Sequence, residues 1–281
     1  MKIAACIKWV ALRPDIDPLS GSVETDDRFS GVSAADQAAV EWAMRMGEAW
    51  SASVTVATVG APIAESALRD ALACGATTAI RIAIEHPVPG AVVGRELAAA
   101  LADADVIVCG DWSLDRGSGS VPAFLAHARG AEQACGLVAL SLDGAGVVRA
   151  ERRLDGGRRE RLIVRAPAVL SVEGSTARLR RAPLGGVLRS ARSSIEVRTP
   201  STLHPAEPVR LVRATPFRPR TKIVDGPHGS VRDRSNALLG MGSTRTPPQR
   251  LVLDPEVAAE HILAALHAWG EIDDPASAEG Q

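Results

Sequence analysis

The chain has 281 residues, enough for one large α/β domain or a domain with an extension, and 46% of them are hydrophobic. Aromatics make up 3%, Tyr is absent, and Arg supplies nearly all the positive charge beside Lys2, Lys8 and Lys222, a bias attributed to genome composition. No apolar run approaches the ~18 residues of a membrane span, and four cysteines without CxxC spacing exclude a disulfide framework, so a cytoplasmic protein with buried thiols is expected.

Residues 2–8 read as a first buried strand, followed by a polar loop carrying Pro14, Pro18 and Gly21. Ser33 is placed to cap a helix running to about Trp50, with Asp36 in its first turn. Gln37, Glu41, Arg45 and Glu48 form its polar stripe, leaving Ala39, Val40, Ala43 and Met46 for the core. Residues 53–59 are a second strand. The next helix has Pro62 in its first turn and Gly75 just past its end. A strand over 78–84, a helix over 94–102, a strand over 105–110, a helix over 121–129 and a strand over 137–142 follow. This alternation predicts βαβ units and a parallel sheet with helices on both faces. Residues 147–154 and 160–166 then read as an added β-hairpin about Asp155-Gly156-Gly157, and 167–173 as another buried strand. Beyond residue 175 periodicity is lost until a helix over 255–269, which predicts an extended C-terminal arm over 199–281 after a nucleotide-binding domain over 1–198.

Charge divides along the chain. Residues 149–220 hold 17 Arg against 6 acids. Nucleic acid is one partner for such a stretch, but Phe217 is its only aromatic and it carries no nucleic-acid module. An acidic protein partner, or the acidic half of this same chain, is the preferred counterpart.

The candidate site centres on residues 106–123, VIVCGDWSLDRGSGSVPA: a buried strand ending at Cys109-Gly110, a loop rich in small residues, and a helix start. The turn Gly117-Ser118-Gly119-Ser120 lets backbone N–H groups approach an anion, and the helix dipole adds attraction. In an open α/β sheet, ligands bind beyond the carboxyl ends of strands where strand order reverses. If the strands over 2–8 and 105–110 flank that point, Cys6, Ser33, Asp36, Val59, Gly110 and Val121 converge there. Asp115 has two open roles, holding a ribose or capping the loop. Trp112 likewise either stacks on a base or packs as a lid. GxGxxG and the Walker loop are absent, and the acids and serines form no catalytic constellation, so no enzymatic activity is expected.

Five segments, MKIAACIKWV, DQAAVEWAMRM, VTVATVGAPIAESALRDALACGATTAIRI, CGDWSLDRGSGSVPAFLA and RRLDGGRRERLIVRAPAVLSVE, occur in an order that resembles the β subunit of electron transfer flavoproteins. The resemblance covers roughly residues 1–198. It implies a Rossmann-like domain that binds AMP or a second FAD, pairs with an α subunit and helps hold the electron-carrying FAD. It implies electron delivery by dehydrogenases, no catalysis by the chain itself, and a C-terminal arm that wraps the partner. By position it assigns nucleotide contacts to Cys6, to Ser33, Ala34, Ala35 and Asp36, to Val59, and to the loop containing Gly110, Ser113, Asp115, Ser118, Gly119, Ser120 and Val121. Leu184 matches the family's docking anchor for dehydrogenases. The Ser118-Gly119-Ser120 ending departs from the family's usual loop, and the aromatics that many members place near the flavin have no counterpart at Arg13 or Ala35. A stand-alone adenine-nucleotide-binding α/β protein of the universal-stress type is the alternative reading.

Overall fold

β1 (Lys2–Cys6) sends Ile3 and Ala5 to one face of the central sheet and Ala4 and Cys6 to the other, and all four are buried. A strand that is apolar on both faces must be covered on both, and the chain supplies a helical layer on each side. The computed structural model describes residues 1–18, 20–84, 88–200, 226–239 and 250–269. The chain divides into two compact units, Met1–Arg218 and Pro219–Gln281.

After β1, β2 (Trp9–Ala11) begins a polar excursion containing β3 (Asp15–Ile16) and β4 (Val23–Glu24), which returns through β5 (Ser30–Val32). β2 pairs with β5 and β3 with β4, both antiparallel, where the sequence reading expected only a loop. These two- and three-residue ladders are too short to leave an alternating pattern. α1 (Ala34–Trp50), β6 (Ser53–Val59), α2 (Glu65–Cys74), β7 (Thr78–Ile82) and α3 (Gly90–Ala100) follow. Then come β8 (Val106–Gly110), α4 (Val121–Arg129), β9 (Glu132–Leu142), β10 (Val147–Arg153), β11 (Arg159–Arg165) and β12 (Ala168–Val172).

The main sheet has nine strands in the order β11-β10-β9-β12-β8-β1-β6-β7 and, at the far edge, β13 (Glu196–Arg198). From β9 to β13 every pairing is parallel, whereas β10 runs antiparallel to both β9 and β11. The predicted hairpin therefore extends the parallel sheet rather than standing apart from it. α1 and α2 cover one face through Ala38, Ala39, Ala43, Met46, Leu68 and Ala71. α3 and α4 cover the other through Leu97, Ala98, Leu125 and Ala126. The abundance of Ala at these positions lets helix backbones approach the sheet closely.

Some element boundaries differ from the sequence reading. α3 starts at Gly90, four residues early, behind Pro89 as its N-cap, because a Gly–Ala–Val–Val–Gly run carries no helix signal. β9 starts at Glu132 rather than 137. Gly136 lies inside it at φ +68°, where the register against β12 shifts. The stretch after residue 175 is not uniformly extended. α5 (Leu184–Ser190) packs against α2, and Arg69 donates hydrogen bonds to the carbonyls of Ser190 (2.9 Å) and Ser193 (3.1 Å). β13 then adds beside β7.

Arg180 fastens the run leading to α5. Its backbone N–H and Nε donate to Oε2 of buried Glu41 at 3.1 and 3.0 Å, and its Nη atoms reach Glu48. Trp42 Nε1 donates to Thr176 Oγ1 at 3.2 Å. Burial opposes ionisation of Glu41, but the hydrogen bonds from Arg180 and Arg45 outweigh it and hold the carboxyl below its usual range.

At the opposite edge, β11 presents Arg159, Arg161, Ile163 and Arg165 to solvent at alternate positions. In the second unit, α6 (Val231–Leu238) opens with a capping box between Ser230 and Asp233, and α7 (Pro255–Ala268) has Pro in its first turn. Neither helix contains a buried residue. Most of the arm expected over 199–281 lies outside the described residues.

Candidate functional site

Strand order reverses between β1 and β8: the chain steps from β1 outward through β6 to β7, then crosses back to place β8 on the other side of β1. The first turn of α1 sits at this junction. Ser33 caps α1, its Oγ accepting from the Asp36 N–H at 3.1 Å. The Asp36 carboxylate in turn accepts from the Lys8 N–H at 2.9 Å and from the Gly110 N–H. One buried carboxylate thus ties together the ends of both strands flanking the switch point. Burial pushes its pKa up to about 7, against these hydrogen bonds and the nearby Lys8 charge, which favour the ionised form.

Gly110 is required here. A Cβ at this position would lie 2.4 Å from Asp36 Oδ1 and 3.0 Å from Asp36 N. The loop that follows folds back on itself. Asp111 N–H donates to Val172 O at 3.1 Å, Gly117 N–H to Ser113 O at 2.8 Å, and the Ser118 and Ser120 hydroxyls stand 3.0 Å apart. Gly119 has φ +58°, and a Cβ there would meet Asp111 O at 2.4 Å. Among the described residues Asp111 Oδ1 is buried without a hydrogen-bond partner. Asp115 engages the Lys8 ammonium at 2.5 Å, and Arg116 donates to Val88 O at 2.6 Å.

These elements line an open cleft. Its floor and one wall are apolar: Cys6, Ile7, Val59, Val93, Leu97 and Cys109, with half-exposed Trp112 near the mouth. The other wall is polar. Lys8 and Arg116 lie there, and α4 begins at Ser120 without a side-chain cap, so its first N–H groups have no side-chain acceptor. The N-terminus of α3 stands beside it, since a Cβ at Gly90 would lie 3.2 Å from Ser120 Oγ. Such a cleft matches a ligand that is flat and apolar at one end and anionic at the other. Glycine at 119 is required by its left-handed backbone and by the Asp111 carbonyl packed against it.

Of the residues singled out in the sequence, Cys6, Asp36, Val59, Gly110, Ser113, Ser118, Gly119, Ser120 and Val121 line this cleft. Ser33, Ala34, Ala35 and Asp115 do not. Ser33 acts through the cap, and Asp115 through Lys8. Leu184 is elsewhere, 75% exposed at the start of α5. The wall formed by Gly90, Val93 and Leu97 of α3 was not foreseen. The signal for it was β7 itself, because the helix after a parallel strand starts at that strand's carboxyl end.

The fold is a Rossmann-like α/β type with its cleft at the topological switch point, where ligands of such sheets bind. The electron transfer flavoprotein domain model matches residues 22–202. The chain is 28% identical over 211 residues to Protein FixA of Rhizobium meliloti, covering 69% of this chain and 71% of that protein. It is 31% identical over 174 residues to the electron transfer flavoprotein subunit beta of Mycobacterium bovis, covering 58% and 65% respectively. The chain belongs to the electron transfer flavoprotein family and is of its β-subunit type. Among the described residues no helix is long and apolar enough to cross a membrane.

Proposed function

We propose that the chain binds an adenine nucleotide, AMP or a second FAD, in the cleft between β1 and β8. It pairs with an electron transfer flavoprotein α subunit and helps hold the FAD through which dehydrogenases pass electrons to an acceptor. The bound flavin supplies the redox chemistry. This chain supplies binding and positioning, without catalysis of its own, in the cytoplasm.

The observation that carries the reading is the amphipathic cleft at the switch point of a chain of this family. Its apolar side, with Val59 and Cys6, suits the base. The Ser118–Val121 turn, the open start of α4 and Arg116 suit the phosphate. Asp36 keeps the strand ends in register beneath it. Leu184, with Val187 and Leu188 also exposed on α5, is the proposed anchor for dehydrogenases. Residues 174–195 contain five arginines and no acid, so the docking face offered to such a partner is basic. Residues 199–281 are proposed as the arm that embraces the α subunit.

The test is co-expression with the α subunit, followed by denaturation and chromatographic identification of the released nucleotides. The expected product is a yellow heterodimer releasing FAD together with AMP, or two FAD. A stable flavin-free monomer that binds ATP would overturn the reading in favour of a stand-alone nucleotide-binding protein.

A further inference from the structure

We propose that Cys6 and Cys109 are a reversible redox pair at the floor of the cleft, closing to a disulfide when hydrogen peroxide reaches it. Both are free thiols, both line the cleft, and both point to the α3/α4 side of the sheet. They are direct partners in the parallel register of β1 and β8, and their thiols are within hydrogen-bonding reach. Neighbouring strands lie about 4.8 Å apart, inside the Cα separation of about 4.4–6.8 Å that a disulfide spans.

The other two cysteines are set apart from this pair. Cys74 sits in the opposite layer, its Sγ 3.5 Å from Arg180 O. Cys135 neighbours Ser171, and Ser171 is the residue in register with Cys109 on its other side. A hydroxyl therefore stands between Cys109 and Cys135, and only Cys6 directly adjoins Cys109.

The chemistry proceeds in two balanced steps. The Cys6 sulfur, at the end of β1 and the less buried of the two, displaces water from hydrogen peroxide and becomes a sulfenic acid. The Cys109 sulfur then attacks the Cys6 sulfur. The new S–S bond forms as the S–OH bond breaks, and the departing hydroxyl leaves as water with the Cys109 proton. The two thiols lose two electrons and two protons, and the peroxide is reduced to two waters. The hydrogen bond with Cys6 and burial hold the Cys109 proton, so Cys109 is not the sulfur that reacts first with peroxide. The bond lies in the open cleft, where small thiols can reach and reduce it.

This inference stands whatever ligand the cleft holds. The chain, purified with its α subunit, is treated with peroxide before and after nucleotide removal, alkylated and digested with trypsin. The expected product is the peptide of residues 3–8 joined to that of residues 96–116, two hydrogens lighter than their sum and separated by dithiothreitol. Cys6→Ala should abolish it and Cys74→Ala should leave it unchanged. Recovery of both peptides alkylated from the nucleotide-free sample, or linkage of Cys109 to Cys135, overturns the pair. Slower linkage when AMP is restored supports both the pair and nucleotide binding. Equal linkage with and without AMP supports the pair and counts against nucleotide contact at Cys6.

Discussion

Asp36 Oδ1 lies 2.4 Å from the point where a Cβ at Gly110 would stand, so the helix start and the strand end are fitted to each other at the cost of any side chain between them. This contact fixes the geometry of the switch point, because the same carboxylate also holds the Lys8 N–H of β1's extension.

Gly110→Ala should therefore destabilise the chain by about 1–3 kcal/mol, the usual cost of overpacking. The neighbour that must yield is a buried carboxylate and its backbone, with little room to shift. Urea unfolding of the complex checks the magnitude. An unchanged midpoint would show that α1 retreats freely from β8.

Asp36 makes stability depend on pH in a specific direction. Its folded pKa is about 7 against 3.8 for the ordinary group. Between those values the folded chain keeps a proton that the unfolded chain has released, so stability falls as pH rises through that window. The full effect is a few kcal/mol, at about 1.4 kcal/mol per pKa unit, and is constant above pH 7. Asp36→Asn should remove this slope. The difference between native and variant unfolding free energies, measured from pH 4 to 8, reports it, and parallel curves would reject the assignment.

The Arg180–Glu41 contact has the opposite sign. Glu41 is held below its usual pKa, so its contribution is present above the unfolded value and lost as pH falls through the folded one. Arg180→Ala leaves a buried carboxylate with Arg45 as its remaining ion-pair partner and should cost about 1–3 kcal/mol. Thermal unfolding at pH 7 tests the cost. Protease cleavage within residues 174–183 should rise at the same time.

Gly119→Arg should empty the cleft without unfolding the chain. The new side chain begins 2.4 Å from Asp111 O in a left-handed backbone, which distorts the loop locally. Nucleotide released on denaturation should fall severalfold while circular dichroism stays the same. Full occupancy would move the ligand elsewhere.

Leu184→Ala alters a side chain that is 75% exposed, so stability should change by less than about 0.5 kcal/mol. Reduction of the complex by its dehydrogenase should slow while flavin content holds. Equal rates would reject Leu184 as the anchor.

The sheet was legible because burial on both faces writes strands such as KIAAC and SVTVATV as apolar runs, and Ser33 announces α1 by its cap. α5 and β13 were not, since seven and three residues cannot display a period. α5 depends on α2 and on Arg69 reaching two distant carbonyls. In the cleft, the loop from Gly110 to Ser120 could be read from its small residues. The α3 wall was missed although β7 pointed to it, because its Gly90 start behind Pro89 looks like a continued turn. The Asp36 bridge was half visible: its place in the first turn could be seen, but its grip on Lys8 and Gly110 joins residues far apart in the chain.

The arginines of β11 take on a further meaning from their place at the rim of the sheet. An edge strand of seven residues offers free backbone groups to any passing strand, and a flat apolar one would nucleate aggregates. Arg159, Arg161 and Arg165 line that rim, while the opposite rim is closed by a three-residue strand that itself begins with Glu196 and ends with Arg198. Part of the charge that composition alone assigns to partner binding thus guards the protein against copies of itself.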